Sequence, residues 1–258
     1  MNGTSFSGLR ILVCNDDGAQ AVGLKVMERI AHLITPDVWI VAPETDRSGI
    51  GPAVTLGTCI RMNEIAPRKF VIDGSPSDCV LIAVNHILHD RAPDIILSGV
   101  NHGHNMAAFV RMSGTAAIAA TAAQMGIKSF AISQDCAHGA QPTFAAAEHF
   151  LPGIIKKLYT VAWPNHMFIN ITVPDVSVGN IRGAKATTQG VIDIDWNVLA
   201  QTDPRKKPYF WFAPQWRDIS EDNNADVKAV RRDSYISVTP ISCIWTMTDF
   251  LPHIDEVL

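Results

Sequence analysis

Arg10-Ile11-Leu12-Val13-Cys14-Asn15-Asp16-Asp17-Gly18 is the stretch that decides the fold. An apolar run that stops abruptly at polar residues and a glycine is the pattern of a buried parallel strand ending in a tight turn. In open α/β sheets ligands bind beyond the carboxyl ends of the strands, where Asp16 and Asp17 fall. Two ionised carboxylates side by side repel each other, and a cation satisfies both without shifting either pKa. The same residues also read as a helix N-cap with a solvated neighbour.

Working outward, strand and helix patterns alternate. Residues 21–34 place Leu24, Met27, Ile30, Ala31 and Ile34 at helical spacing, and helices are also predicted over 77–88, 113–125 and 144–158. Strands are predicted over 38–42, 94–98, 129–133 and 167–172. Such alternation implies a mostly parallel sheet covered on both faces, an α/β sandwich. From about residue 178 short extended pieces (182–188, 209–213, 234–239) are separated by charged, Pro-containing stretches with several Trp. They predict a β-rich arm over 178–258, ending in an amphipathic segment, within one α/β domain spanning 1–258. The arm's aromatic residues (Trp196, Tyr209, Trp211, Trp216, Tyr235, Trp245) exceed what a small excursion buries alone, so it is expected to join copies of the chain.

Composition excludes several classes. A chain of 258 residues, 47% hydrophobic and 18% charged, is globular rather than disordered. Its net charge of −4, with no basic stripe, gives no reason to expect nucleic-acid binding. The five cysteines lack CxxC spacing, and Cys14 and Cys79 sit in apolar runs, so reduced core thiols are expected. Residues 1–10 carry no apolar signal core, and no run is long enough to span a bilayer, so a cytoplasmic protein is expected.

Three further segments gather at the same sheet edge. The second strand runs into Ala42-Pro43-Glu44-Thr45-Asp46-Arg47-Ser48-Gly49, which offers a hydroxyl and backbone N–H groups or is an ordinary connection. The third predicted strand breaks into Ser98-Gly99-Val100-Asn101-His102-Gly103-His104-Asn105, where the Asn amide is a neutral oxygen ligand. Ser113-Gly114-Thr115 opens a helix and reads as an anion cradle or a plain Ser N-cap. Two carboxylates with neutral oxygens match Mg²⁺ or Mn²⁺ and fit zinc poorly. His102 and His104 read as exposed or substrate-edge groups, and His86 and His89 as surface residues.

In order and spacing these motifs, with Asp73-Gly74-Ser75-Pro76-Ser77-Asp78-Cys79-Val80 between them, resemble the SurE family of 5′-nucleotidases. Asn170-Ile171-Thr172-Val173-Pro174, Asp203-Pro204-Arg205 and Tyr235-Ile236-Ser237-Val238-Thr239-Pro240 extend the resemblance over most of the chain. It implies a Rossmann-like three-layer fold, homodimers or homotetramers joined by C-terminal elements, and metal-dependent hydrolysis of nucleoside monophosphates. Carried over by position, the ligands of one divalent ion (Mg²⁺ or Mn²⁺) are Asp16, Asp17, Ser48 and Asn101. In a reaction on that ion Asp16 or Asp17 is expected to accept the proton of the attacking water, and Ser113, Gly114 and Thr115 to hold the phosphate through backbone and hydroxyl donors. This chain departs from the family between Asn105 and Ser113. The family usually has Gly and Asp in the stretch that here reads Met106-Ala107-Ala108-Phe109-Val110-Arg111, and usually a Tyr where Met112 stands, so that Ala108, Phe109 and Met112 remove hydrogen-bonding groups. That departure keeps a metal-binding, catalytically impaired relative open.

Two other folds begin similarly. A haloacid-dehalogenase phosphatase needs a nucleophilic Asp where Asn15 stands, and a receiver module needs an acceptor Asp near Ser98 or Gly99. Neither is present.

Overall fold

The computed structural model describes residues 6–137, 140–256 and 258. In chain order the elements begin β1 (Arg10–Cys14), α1 (Val22–His32), β2 (Asp37–Pro43), β3 (Met62–Ala66), β4 (Lys69–Ile72) and α2 (Pro76–Ile82). Next come β5 (Ile95–His102), α3 (Gly114–Gln124), β6 (Lys128–Gln134), α4 (Ala145–Tyr159) and β7 (Met167–Val173). The last part holds β8 (Ala184–Ala186), β9 (Ile192–Thr202), β10 (Pro208–Asp218), β11 (Ile236–Ser242) and α5 (Leu251–Asp255). Among the described residues nine strands form one sheet in the order β3-β4-β2-β1-β5-β6-β7-β11-β8, and β9 and β10 form a separate two-stranded sheet.

Strand β1 lies mid-sheet, parallel to β2 on one side and β5 on the other, with Leu12 opposite Trp39 and Ile96. Its alternation assigns the two layers. Ile11 and Val13 pack with Leu24, Met27 and Ile30 of α1 and Leu151 of α4. Leu12 and Cys14 pack on the opposite face with Cys79 and Val80 of α2 and Ile118 of α3. Because both faces are covered, Ile11–Cys14 is apolar throughout instead of alternating with polar residues, and only the strand's first residue, Arg10, is charged. Truncating a buried Leu such as Leu12 to Ala would cost roughly 2–5 kcal/mol, a large share of a domain's stability.

The segment Ser75–Asp78 turns out to be local architecture. Ser75 Oγ accepts the Asp78 N–H at 3.2 Å, and Asp78 Oδ2 accepts the Ser75 N–H at 2.8 Å, a reciprocal cap that starts α2. Helix α2 is shorter than predicted, because residues 83–87 widen into a π turn.

The C-terminal region divides. Strands β8 and β11 complete the main sheet, β11 running antiparallel to β7. The β9–β10 hairpin pairs over eleven residues, Ile192 with Asp218 through Thr202 with Pro208. At about 3.4 Å per residue it is roughly 35 Å long. Trp211 (65% exposed) and Phe212 (70%) lie bare on it, and Trp245 and Met247 lie bare before α5. All five cysteines are free, with Cys14 and Cys79 buried as expected. Among the described residues no helix is long and apolar enough to cross a membrane.

Candidate active site

The carboxyl ends of β1 and β5 are neighbours, which brings Asp16, Asp17 and Asn101 to one place. Helix α3 points its first turn at them. The Thr115 hydroxyl lies 2.6 Å from Asp16 Oδ1 and 3.1 Å from Asn101 Oδ1, bridging the two strand ends. Asn101 Nδ2 donates to the Gly103 carbonyl at 2.8 Å, which leaves its Oδ1 turned toward the Thr115 hydroxyl. Asp17 Oδ2 accepts the His102 N–H at 3.2 Å.

This approach requires a glycine at 114. A Cβ there would fall 2.7 Å from Asp16 Cβ and 2.8 Å from Asp16 Oδ2, closer than real contacts allow. The helix start therefore meets the carboxylate only because position 114 has no side chain.

Ser48 sits on the neighbouring loop, exposed. The Arg47 N–H donates to the Asp16 carbonyl at 2.8 Å, which ties this loop to the β1 turn. The Ser48 hydroxyl itself donates to Asp46 Oδ1 at 2.6 Å. Ser113 caps α3, its Oγ accepting the Ala116 N–H at 3.0 Å. Of the seven residues singled out, Asp16, Asn101 and Thr115 are in direct side-chain contact. Asp17 joins them through the adjacent backbone, and Gly114 by close approach. Ser48 and Ser113 rim the site with hydroxyls engaged locally.

The electrostatics are those of an unneutralised acidic pair. Burial pushes the Asp16 carboxyl above its ordinary value, opposed by the Thr115 hydroxyl and backbone N–H and reinforced by Asp46. Burial first, and then the neighbouring Asp16 charge, pushes Asp17 up to about 7, against the favourable His102 N–H. No ion pair within 4 Å serves either carboxylate among the described residues. Among the described residues no group of three or more His, Cys, Asp or Glu is placed to hold an ion by itself. Two carboxylates with the Asn101 carbonyl oxygen and nearby hydroxyls therefore form an oxygen-only set, which suits a hard divalent cation.

Sequence reasoning did not give Asp46 its part. It anchors the Ser48 hydroxyl and N–H and raises both site carboxyls. An Asp two residues before a Ser is a common local turn, and only the fold reveals that it faces Asp16 and Asp17. The histidines separate. His102 is exposed, whereas His104 is packed edge-on against Phe109 and Trp216, with ring centroids 5.2 and 4.9 Å away.

Comparison with known proteins agrees with this architecture. The model of the survival protein SurE family matches residues 11–195. The chain belongs to the SurE family. It is 43% identical to the 5′-nucleotidase SurE of Parvibaculum lavamentivorans over 236 residues, 90% of this chain and 85% of that one. It is 39% identical to the 5′-nucleotidase SurE of Paramagnetospirillum magneticum, covering 91% of this chain and 90% of that one. The crystal structure of the SurE protein from Aquifex aeolicus superposes with a TM-score of 0.81 at 29% identity, covering 96% and 99% of the two chains. The α/β fold expected from the β1 pattern is thus that of a SurE protein.

Proposed function

We propose that this chain is a 5′-nucleotidase that hydrolyses nucleoside monophosphates to nucleoside and phosphate with the help of one divalent cation. The observation that carries the proposal is the convergence of Asp16, Asp17 and Asn101 on the first turn of α3, in a chain 43% identical to a named 5′-nucleotidase over 90% of its length. Asp16, Asp17, Asn101 and Ser48 would hold the ion. The raised carboxyls and the glycine-made gap at 114 fit that role. When bound, Mg²⁺ or Mn²⁺ supplies neutralisation of charge on the phosphoryl oxygens.

The chain's own residues do the rest. The α3 N-terminus, with Ser113, Gly114 and Thr115, favours a phosphate group through its dipole and N–H donors. Thr115 fixes the Asp16 carboxylate, which is 2% exposed. Asp17 is more open and is held only through a backbone N–H, so it takes the proton of the attacking water. The water oxygen forms the new bond to phosphorus, the ester P–O bond breaks, and the nucleoside oxygen leaves with a proton taken from solvent, to which Asp17 returns its own.

The bare hairpin and C-terminal segment pair with a second copy of this chain, giving a homodimer or homotetramer. Trp211, Phe212 and Trp245 are more than half exposed in the monomer. The enzymatic test is phosphate release from nucleoside monophosphates by purified protein with Mn²⁺ or Mg²⁺. Release that stops with EDTA is expected. Inert protein that still binds the ion would favour the impaired-relative reading opened by Ala108, Phe109 and Met112.

A further inference from the structure

Beside the metal-ligand cluster lies a cavity of about 510 Å³, within the usual range for small-molecule sites. It starts at His102 and Gly103, the residues that follow Asn101 and hold Asp17 and Asn101 in place. Its far wall is aromatic. Phe109 and Trp216 meet edge to face with centroids 5.9 Å apart, and His104 packs against both. Burial lowers His104 to about 4, so it is a neutral ring near neutral pH. Trp216 comes from the hairpin strand β10 and is fixed from behind. The Arg231 guanidinium sits 4.5 Å from its ring centroid and is itself gripped by both oxygens of Asp135, at 2.8 and 2.9 Å. A rigid, preorganised aromatic wall next to a phosphate-handling site is what a flat heterocycle requires.

We infer that this cavity receives the base of the nucleotide, and that Trp216, braced by Arg231 and Asp135, is the residue that sets preference for substrates carrying a base. The inference rests on the nucleotidase reading and adds to it a specificity wall supplied by the C-terminal hairpin.

The test compares parent, Trp216→Ala and Trp216→Phe enzymes on adenosine 5′-monophosphate and on ribose 5-phosphate, which lacks a base. Stacking on an aromatic side chain accounts for about a ten-fold effect or more per base. The ratio of kcat/KM between the two substrates should fall at least ten-fold in Trp216→Ala, mainly through KM, and return largely in Trp216→Phe. Calorimetric titration with adenosine should show binding to the parent and its loss in Trp216→Ala. An unchanged ratio, or adenosine binding that Trp216→Ala leaves intact or that the parent lacks, overturns the inference. A parent that binds adenosine yet releases no phosphate from any nucleotide overturns the nucleotidase reading and leaves the cavity assignment standing. Should Trp216→Ala fail to fold, Phe109→Ala probes the same wall from the opposite element with the same expected ratio change.

Discussion

Replacing Asp17 by Asn removes one negative charge from a site where two are crowded, and the direction of its effect depends on pH. In the folded chain Asp17 titrates at about 7, against an ordinary value of 3.8, because of burial and then the Asp16 charge. Below about pH 4 the carboxyl is protonated in both folded and unfolded states, and it contributes nothing. As pH rises toward 7 the unfolded chain loses the proton while the folded chain keeps it, so stability falls. Above pH 7 the full cost is present, up to roughly 4 kcal/mol. Asn can still accept the His102 N–H, so the hydrogen bond survives the change. In EDTA, Asp17→Asn should therefore melt above the parent at pH 8, by on the order of 10 °C for a chain of this size, and close to it at pH 4. Mn²⁺ at a hundred times its Kd should recover about 2.7 of those roughly 4 kcal/mol for the parent, narrowing the gap, while Asp17→Asn gains less because it lacks one ligand carboxylate. The assay is a set of thermal melts from pH 4 to 8, with chelator and with metal. Identical pH profiles for the two proteins, or equal stabilisation of both by metal, would refute the charge-crowding account.

Other outcomes follow from the same geometry. Gly114→Ala should nearly abolish phosphatase activity while the protein remains folded, because the new Cβ collides with Asp16; circular dichroism alongside a phosphate-release assay checks this. Ser48→Ala and Asn101→Ala should raise the metal concentration for half-maximal rate, each losing a neutral oxygen ligand, and Mg²⁺ or Mn²⁺ should restore chelated parent better than Ca²⁺. Restoring the family pattern with Met112→Tyr and Ala108→Asp should sharpen discrimination among nucleoside monophosphates, read as changes in KM more than in kcat. Light scattering should return a dimer or tetramer mass at micromolar concentration, and a monomer mass would remove the case for the hairpin as an assembly element.

The central layer was legible because burial on both faces writes an unmistakable pattern. The predicted strands over 38–42, 129–133 and 167–172 fall within β2, β6 and β7, and the helix over 113–125 holds α3. The parts that escaped have no such signature. In β3 only Met62 and Ala66 are partly covered, while Asn63, Glu64 and Ile65 face solvent, so no alternation marks an edge strand. Strand β9 is mostly exposed on both faces, and its residues read as a charged stretch until β10 is seen beside them. The predicted arm over 178–258 is likewise only partly an arm. Strand β11 has buried residues in a main-sheet position, where its antiparallel pairing with β7 could not be inferred from its own sequence.

The site divides along the same physical line. Asp16, Asp17 and Asn101 were visible because each ends an apolar run, and a parallel sheet gathers strand ends at one edge whatever the intervening chain does. The groups that tune them arrive from elsewhere. Thr115 reaches back ninety-nine positions to Asp16, and Asp46 approaches through a loop whose sequence reads as an ordinary turn. Asp226, fully buried, accepts the N–H groups of Ala107 and Gly190 at 3.0 and 2.9 Å, fastening the altered loop before Ser113 to the C-terminal region. Through that brace and the Phe109–Trp216 contact, the loop before Ser113 is held both by Asp226 and by the hairpin strand β10. On the proposed reading, a change at positions 106–112 would act on the leaving-group side of the site, while Asp16, Asp17 and Asn101 stay held by β1, β5 and α3. If the hairpin joins copies of the chain and the loop faces the substrate, as proposed, a change in either would reach the other through Phe109 and Trp216 and leave the Asp16–Thr115–Asn101 contacts in place.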